Sequence, residues 1–157
     1  MGGFLSSLLE GWQRHLEQQH NRPFLEGCMA ACAMVASTDG MVDFAERVRV
    51  DQVLETLDRL KVFDPHVGVD LFNDYIEAIL ANPEEGHNRA LNDMRAAADT
   101  PEAAELLVRV CCAVSEAGAG EDGVMPLVDQ IEIVTLCAYL GLDPRRFGLY
   151  REGTLPT

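Results

Sequence analysis

An all-α fold is what this sequence predicts, a compact bundle of about seven to eight helices. Three observations carry that expectation. Apolar residues recur at three- and four-residue spacing along nearly the whole chain. No stretch alternates apolar and polar with the period of two that a half-buried strand requires. Asp-Pro, Asn-Pro, Thr-Pro and Gly punctuate the segments where helices should start or stop. The 157 residues fit one domain, taken as 1–157, with a single core.

Residues 3–20 place Phe4, Leu5, Leu8, Leu9, Trp12 and Leu16 at helical spacing opposite Glu10, Arg14 and Glu17. They read as an amphipathic first helix laid on the core, with Trp12 as a packing anchor. Pro23 is suited to the first turn of a second helix, in which Leu25 to Ala36 is apolar or small on almost every side. That helix belongs at the centre of the domain and should close at Ser37-Thr38-Asp39-Gly40. Asp43 and Glu46 have capping-box spacing for the next helix, whose stripe is Val50, Val53, Leu54, Leu57 and Leu60. Asp64-Pro65 breaks it, and 66–81 follow with Val69, Phe72, Ile76, Ile79 and Leu80 on the apolar side. Asn82-Pro83 ends that segment and a more polar helix covers 84–99. Thr100-Pro101-Glu102 opens another, apolar from Leu106 to Val114. Pro126 starts a helix burying Leu127, Ile131, Val134, Leu136, Cys137 and Leu140; Gly141 closes it, and Pro144 begins a short last turn.

Two apolar helices that each end near Asp-Gly and precede an amphipathic helix suggest two pseudo-symmetric helix-loop-helix repeats. Each loop concentrates acids: Asp39, Asp43 and Glu46 in the first, Glu121, Asp122 and Asp129 in the second, longer one. A pseudo-two-fold arrangement would bring both toward one end. Counted from Val35, the residues Ser37, Asp39, Gly40, Asp43 and Glu46 fall at positions 3, 5, 6, 9 and 12 of an EF-hand loop. The first position, Val35, is no ligand, and the second loop fits worse, with Gly118 first and Pro126 at position 9. Neither is a standard EF-hand. Three readings stay open: a hard-cation site, acids that only cap helices, and a face that docks a partner.

The balance of 26 acidic against 12 basic residues, a net charge of −14, repels phosphate backbones and anionic lipid, so no nucleic-acid partner is expected. No apolar run reaches the roughly 18 residues of a membrane span, so no direct membrane insertion is expected. Five cysteines, Cys28, Cys32, Cys111, Cys112 and Cys137, sit in apolar helical runs without a Cys-x-x-Cys pair. They read as buried reduced thiols, which points to a cytoplasmic location. No catalytic constellation is expected: Ser115 has no nearby His, and no di-iron site is expected.

Ala-x-Val-Ala-x-x-Asp-Gly-x-Val-Asp-x-x-Glu-Arg at 33–47, Tyr-Leu-Gly-Leu-Asp-Pro-x-x-Phe-Gly-Leu at 139–149, and the two-copy layout resemble the TerB tellurite-resistance family over roughly 24–149. The resemblance implies an all-helical, cytoplasmic protein of a tellurite and stress-resistance system. It also implies a metal-binding adaptor without catalytic activity or organic cofactor, acting with membrane-associated and calcium-binding protein partners. By position, Asp39, Asp43 and Glu46 match the first acidic motif, and Asp122 and Asp129 the second, with Pro126 departing from it. The expected function is therefore divalent-cation binding, Ca²⁺ first among candidates, through Asp39, Asp43, Glu46, Glu121, Asp122 and Asp129. The alternative is a metal-independent scaffold whose acidic face docks a basic or membrane-associated partner.

Overall fold

A computed structural model describes residues 3–120 and 123–149. Among them are six α-helices, a short 3-10 turn and no strand: α1 Gly3–Ala36, α2 Phe44–Thr56, α3 Pro65–Ala81, α4 Pro83–Ala97, α5 Pro101–Ala117, α6 Leu127–Leu140, and the turn Pro144–Phe147. The fold class is as expected. The helix count is lower, because the two helices expected over 3–20 and from Pro23 are one continuous α1 with Pro23 inside it. An interior proline forfeits a backbone hydrogen bond and typically costs about 3 kcal/mol. Full burial of Phe24, Leu25, Cys28 and Met29 immediately after it offsets that loss. An Arg22–Glu26 ion pair at 3.1 Å also spans the position.

The carboxy-terminal half of α1 is the axis of the molecule. Every residue from Gly27 to Ala36 is buried, and α4, α3 and α5 pack around it. Small residues make the approach close. A Cβ added at Gly27 would lie 2.6 Å from the Asp93 carbonyl oxygen of α4, so only glycine fits that crossing. At the near end, Asn21 accepts from Arg59 Nε at 2.9 Å while the same guanidinium lies 4.2 Å from the centre of the Phe24 ring.

The amino-terminal half behaves otherwise. Phe4, Leu5, Leu8, Leu9, Trp12 and Leu16 are all exposed, Trp12 at 60%, so this stripe is not laid on the core and Trp12 is no packing anchor. Contact with the body begins near Gln18, whose side-chain amide donates to the Val62 carbonyl at 2.7 Å.

Local chemistry sets the remaining boundaries. Asp64, Asn82, Thr100 and Asp143 each cap with their side chains, and each is followed by a proline in the first turn. Gly141 ends α6 in the left-handed conformation, φ 74°. On α6 the buried face is Asp129, Ile133, Leu136 and Cys137, while Leu127 and Ile131 are exposed. Leu136 and Cys137 are buried as expected and Val134 and Leu140 pack against the core, so the departure is confined to the first two positions of the expected stripe. Asp129 turns inward to hydrogen-bond partners, which fixes the phase of the helix and carries Leu127 and Ile131 outward. Leu80, expected on the apolar side of α3, is half exposed.

The five cysteines are free, and all but the half-buried Cys112 are fully buried. Helices α1, α5 and α6 bring them within electrostatic range of one another. A neighbouring thiol, Cys28, and burial raise Cys32, and burial pushes Cys112 and Cys137 up to about 11. Cys32, Cys111, Cys112 and Cys137 are therefore neutral thiols at physiological pH.

Candidate functional site

The first acidic motif is built by the α1–α2 junction. Ser37 hydroxyl donates back to Ala33 carbonyl at 2.6 Å, and Gly40 (φ 83°) lets the chain reverse. Asp39 accepts from the Met41 amide at 3.0 Å, a local Asx turn. Asp43 is the N-cap of α2 and accepts from the Glu46 amide at 2.8 Å; Glu46 accepts in return from the Asp43 amide at 3.1 Å. The expected capping box is therefore formed. Asp39 and Asp43 are exposed at the rim, while Glu46 is only 6% exposed.

The second motif enters from α5 and α6. Ser115, wholly buried near the end of α5, donates to one oxygen of Asp129 at 2.6 Å. Thr38, from the α1–α2 loop, donates to the other. One carboxylate on α6 is thereby held by the end of α5 and by the first loop, so the two loop regions meet at one end of the bundle. Gly118 completes the approach. A Cβ there would lie 3.1 Å from Glu46 Cγ and 3.2 Å from an Asp43 oxygen. The second motif differs from the first in detail: Pro126, at the N-cap of α6, provides no side-chain cap, whereas Asp43 caps α2.

Electrostatically the four acids form a group. Burial raises Glu46 most, the Asp43 amide opposes it, and the charges of Asp43, Asp129 and Asp39 add to the rise, which reaches about 7 from 4.5. Among the described residues none of the four has an ion-pair partner. The two arginines of α2 are engaged elsewhere: Arg47 donates to Asn73 Oδ1 at 2.8 Å and Arg49 to the Ala113 carbonyl at 2.9 Å.

Glu121 and Asp122 lie outside the described residues. Glu116 is exposed and lines a separate cleft with Arg109, Cys112 and Phe147. Val35, first in the EF-hand count, is fully buried in α1. In donor chemistry the group fits a hard divalent cation: carboxylates crowded without a compensating base. Its geometry is not preformed. Glu46 and Asp129 direct oxygens at hydrogen-bond donors, and no set of three or more His, Cys, Asp or Glu among the described residues is gathered closely enough to hold a metal as it stands.

One neighbouring feature escaped the sequence reading. Glu84 and His87, in the first turns of α4, have the spacing Glu-x-x-His, which occurs a second time at the exposed Glu17 and His20 of α1. With Thr38 and Glu132 they line a cleft of about 420 Å³ beside the acidic loops. His87 Nε2 lies 2.5 Å from Glu132 Oε1, a pairing that requires the proton on Nε2 when the carboxylate is ionised. The motif on α4 was visible in the sequence; its partner on α6 was not.

These features define a class: an all-helical acidic module in which two interhelical loops converge through a shared carboxylate. The chain belongs to the TerB tellurite-resistance family. The family model described as tellurite resistance protein TerB matches residues 25–152. A tellurium resistance protein TerB from Alcaligenes sp is 31% identical over 108 residues, which is 69% of this chain and 88% of that relative. No solved structure matches. No helix among the described residues is long and apolar enough to cross a membrane.

Proposed function

We propose that this protein is a non-enzymatic adaptor of a tellurite and stress-resistance system, working in the cytoplasm, that binds a divalent cation where its acidic loops converge. The observation that carries the reading is Glu46, a buried carboxyl pushed up to about 7 by burial and by three neighbouring acids, with no ion-pair partner for any of the four among the described residues. A hard cation would favour ionisation and relieve that crowding. Asp39, Asp43, Glu46 and Asp129 are the donors, Asp129 after exchanging its bonds to Ser115 and Thr38; Glu121 and Asp122 are assigned to the same loop by sequence. No organic cofactor is involved. Its partners are proteins of the resistance complex, membrane-associated ones included. The unpaired cysteines of the core support a reducing compartment.

The second reading is a metal-independent scaffold whose acidic face docks a basic or membrane-associated partner. It is favoured by the hydrogen bonds that already satisfy Glu46 and Asp129. Thermal unfolding of EDTA-stripped protein with and without millimolar Ca²⁺, Mg²⁺, Mn²⁺ or Zn²⁺ separates the two. A bound cation raises stability by about 2.7 kcal/mol at a hundredfold excess over its dissociation constant. An Asp39→Asn, Asp43→Asn, Glu46→Gln variant should lose that rise and keep its helical content. No shift with any ion leaves the docking face, whose complexes should weaken with salt and ignore chelator.

A further inference from the structure

The exposed stripe at the start of α1 is independent of the acidic site. Phe4, Leu5, Leu8, Leu9, Trp12 and Leu16 are between 45% and 81% exposed, and they precede the residues that the family model matches. Leu5, Leu9, Trp12 and Leu16 follow one another at spacings of four, three and four, the alternation of a two-stranded coiled-coil seam. Glu10, Arg14 and Glu17 all fall at the outward positions of that heptad, and Ser6, Leu8, Gln13 and His15 flank the seam. The stripe is carried on a helix anchored in the core from Phe24 onward, so little ordering is lost on binding.

We propose that this stripe is a self-association surface through which two copies of the chain pair by the first turns of α1, antiparallel. Charge selects the occupant. The chain carries −14, so an anionic bilayer repels its body, and the polar face of the segment has a single arginine where a membrane-surface helix carries a basic band. A basic partner would be drawn to the acidic body and not to this near-neutral stripe. A second copy presents the same near-neutral apolar face. The area is adequate: at roughly 200 Å² per large side chain and little more than half of each exposed, Leu5, Leu8, Leu9, Trp12 and Leu16 offer about 550 Å² per copy, and about 1,100 Å² for a pair clears the roughly 1,000 Å² that a specific interface needs. Orientation follows from the same charge. Overlap of some 15 helical residues, about 22 Å, sets antiparallel bodies well beyond the Debye length of about 8 Å, whereas parallel pairing would place two −14 bodies side by side. In antiparallel register Leu5 meets Leu16 and Leu9 meets Trp12, a self-complementary match.

Sedimentation velocity on the full chain over a concentration series tests this, with a Leu9→Glu, Trp12→Glu variant alongside. The wild type should reach the mass of two chains, and added NaCl should leave the pair intact, because the bodies already lie beyond the screening length. The variant, with unchanged far-UV circular dichroism, should weaken association by about a hundredfold or more. A wild type that stays monomeric, a variant that pairs equally well, or a pair that salt dissolves overturns the proposal. Monomeric wild type that co-sediments with phosphatidylcholine vesicles, with the variant left in solution, would replace it with membrane docking.

Discussion

Replacing Glu46 with glutamine should make the protein more stable at mildly alkaline pH, although it removes a buried capping residue. Glutamine keeps the acceptor that receives the Asp43 amide, so the capping box survives. What disappears is ionisation. In the folded chain Glu46 titrates near 7, raised first by burial and then by Asp43, Asp129 and Asp39, against 4.5 in the unfolded chain. A carboxyl raised on folding binds its proton more tightly in the native state. Its contribution is fully present below about 4.5 and is lost as pH rises toward about 7. The gap sets a ceiling of about 3 kcal/mol. Between about pH 5.5 and about pH 8, the reachable part is about 2 kcal/mol. Urea unfolding of EDTA-treated wild type and Glu46→Gln at those two pH values, followed by circular dichroism, isolates the group, because titrations common to both chains cancel. The wild type should lose about 2 kcal/mol more than the variant on going to the higher pH. Parallel profiles would mean that Glu46 ionises without hindrance and that the acids do not crowd it. Saturating cation, if it binds, should flatten the wild-type profile by favouring the carboxylate.

Asp129→Ala removes the acceptor shared by Ser115 and Thr38, and leaves the wholly buried Ser115 hydroxyl unsatisfied. Measured at about pH 5.5, where Glu46 is largely neutral, it should cost about 2–3 kcal/mol; a loss below about 0.5 kcal/mol would show that the tie is not structural. Gly27→Ala gains up to about 1 kcal/mol of helix propensity but forces a methyl against α4, so urea denaturation should show a net loss of about 2 kcal/mol, and any gain contradicts the close crossing. A thiol reagent at neutral pH should modify at most Cys112, slowly, in native protein and all five cysteines in urea. Two or more fast thiols in the folded protein would contradict the packing of α1, α5 and α6.

Helix ends were legible because their chemistry is local. Asp43 with Glu46, Asp64 before Pro65, Asn82 before Pro83 and Thr100 before Pro101 satisfy orphan amides two or three residues away, a range that spacing alone reveals. Pro23 misled for the complementary reason. Its local cost marks a helix start, but the burial that carries α1 through it is supplied by α3, α4 and α5, distant in sequence. The stripe from Phe4 to Leu16 was read as core-facing because periodicity shows that a face is apolar, not what covers it.

Asp129 shows where such reasoning stops. Its spacing after Pro126 marked it as a second-loop counterpart of Glu46, yet the two acids do different work. Glu46 closes a local capping box, whereas Asp129 reaches Ser115, 14 residues away, and Thr38, 91 away. No window along the chain holds those three side chains, and the inward turn they impose also set the phase of α6. The same arrangement constrains the proposed chemistry. A cation taking an Asp129 oxygen must displace a hydroxyl donor, so binding there would loosen the link between the first loop and α6 while relieving Glu46. Cation binding and loop coupling are then in opposition at Asp129 and in agreement at Glu46. An Asp129→Asn chain that still responds to cation would place the ion on the first loop alone; one that does not would make the shared carboxylate a ligand.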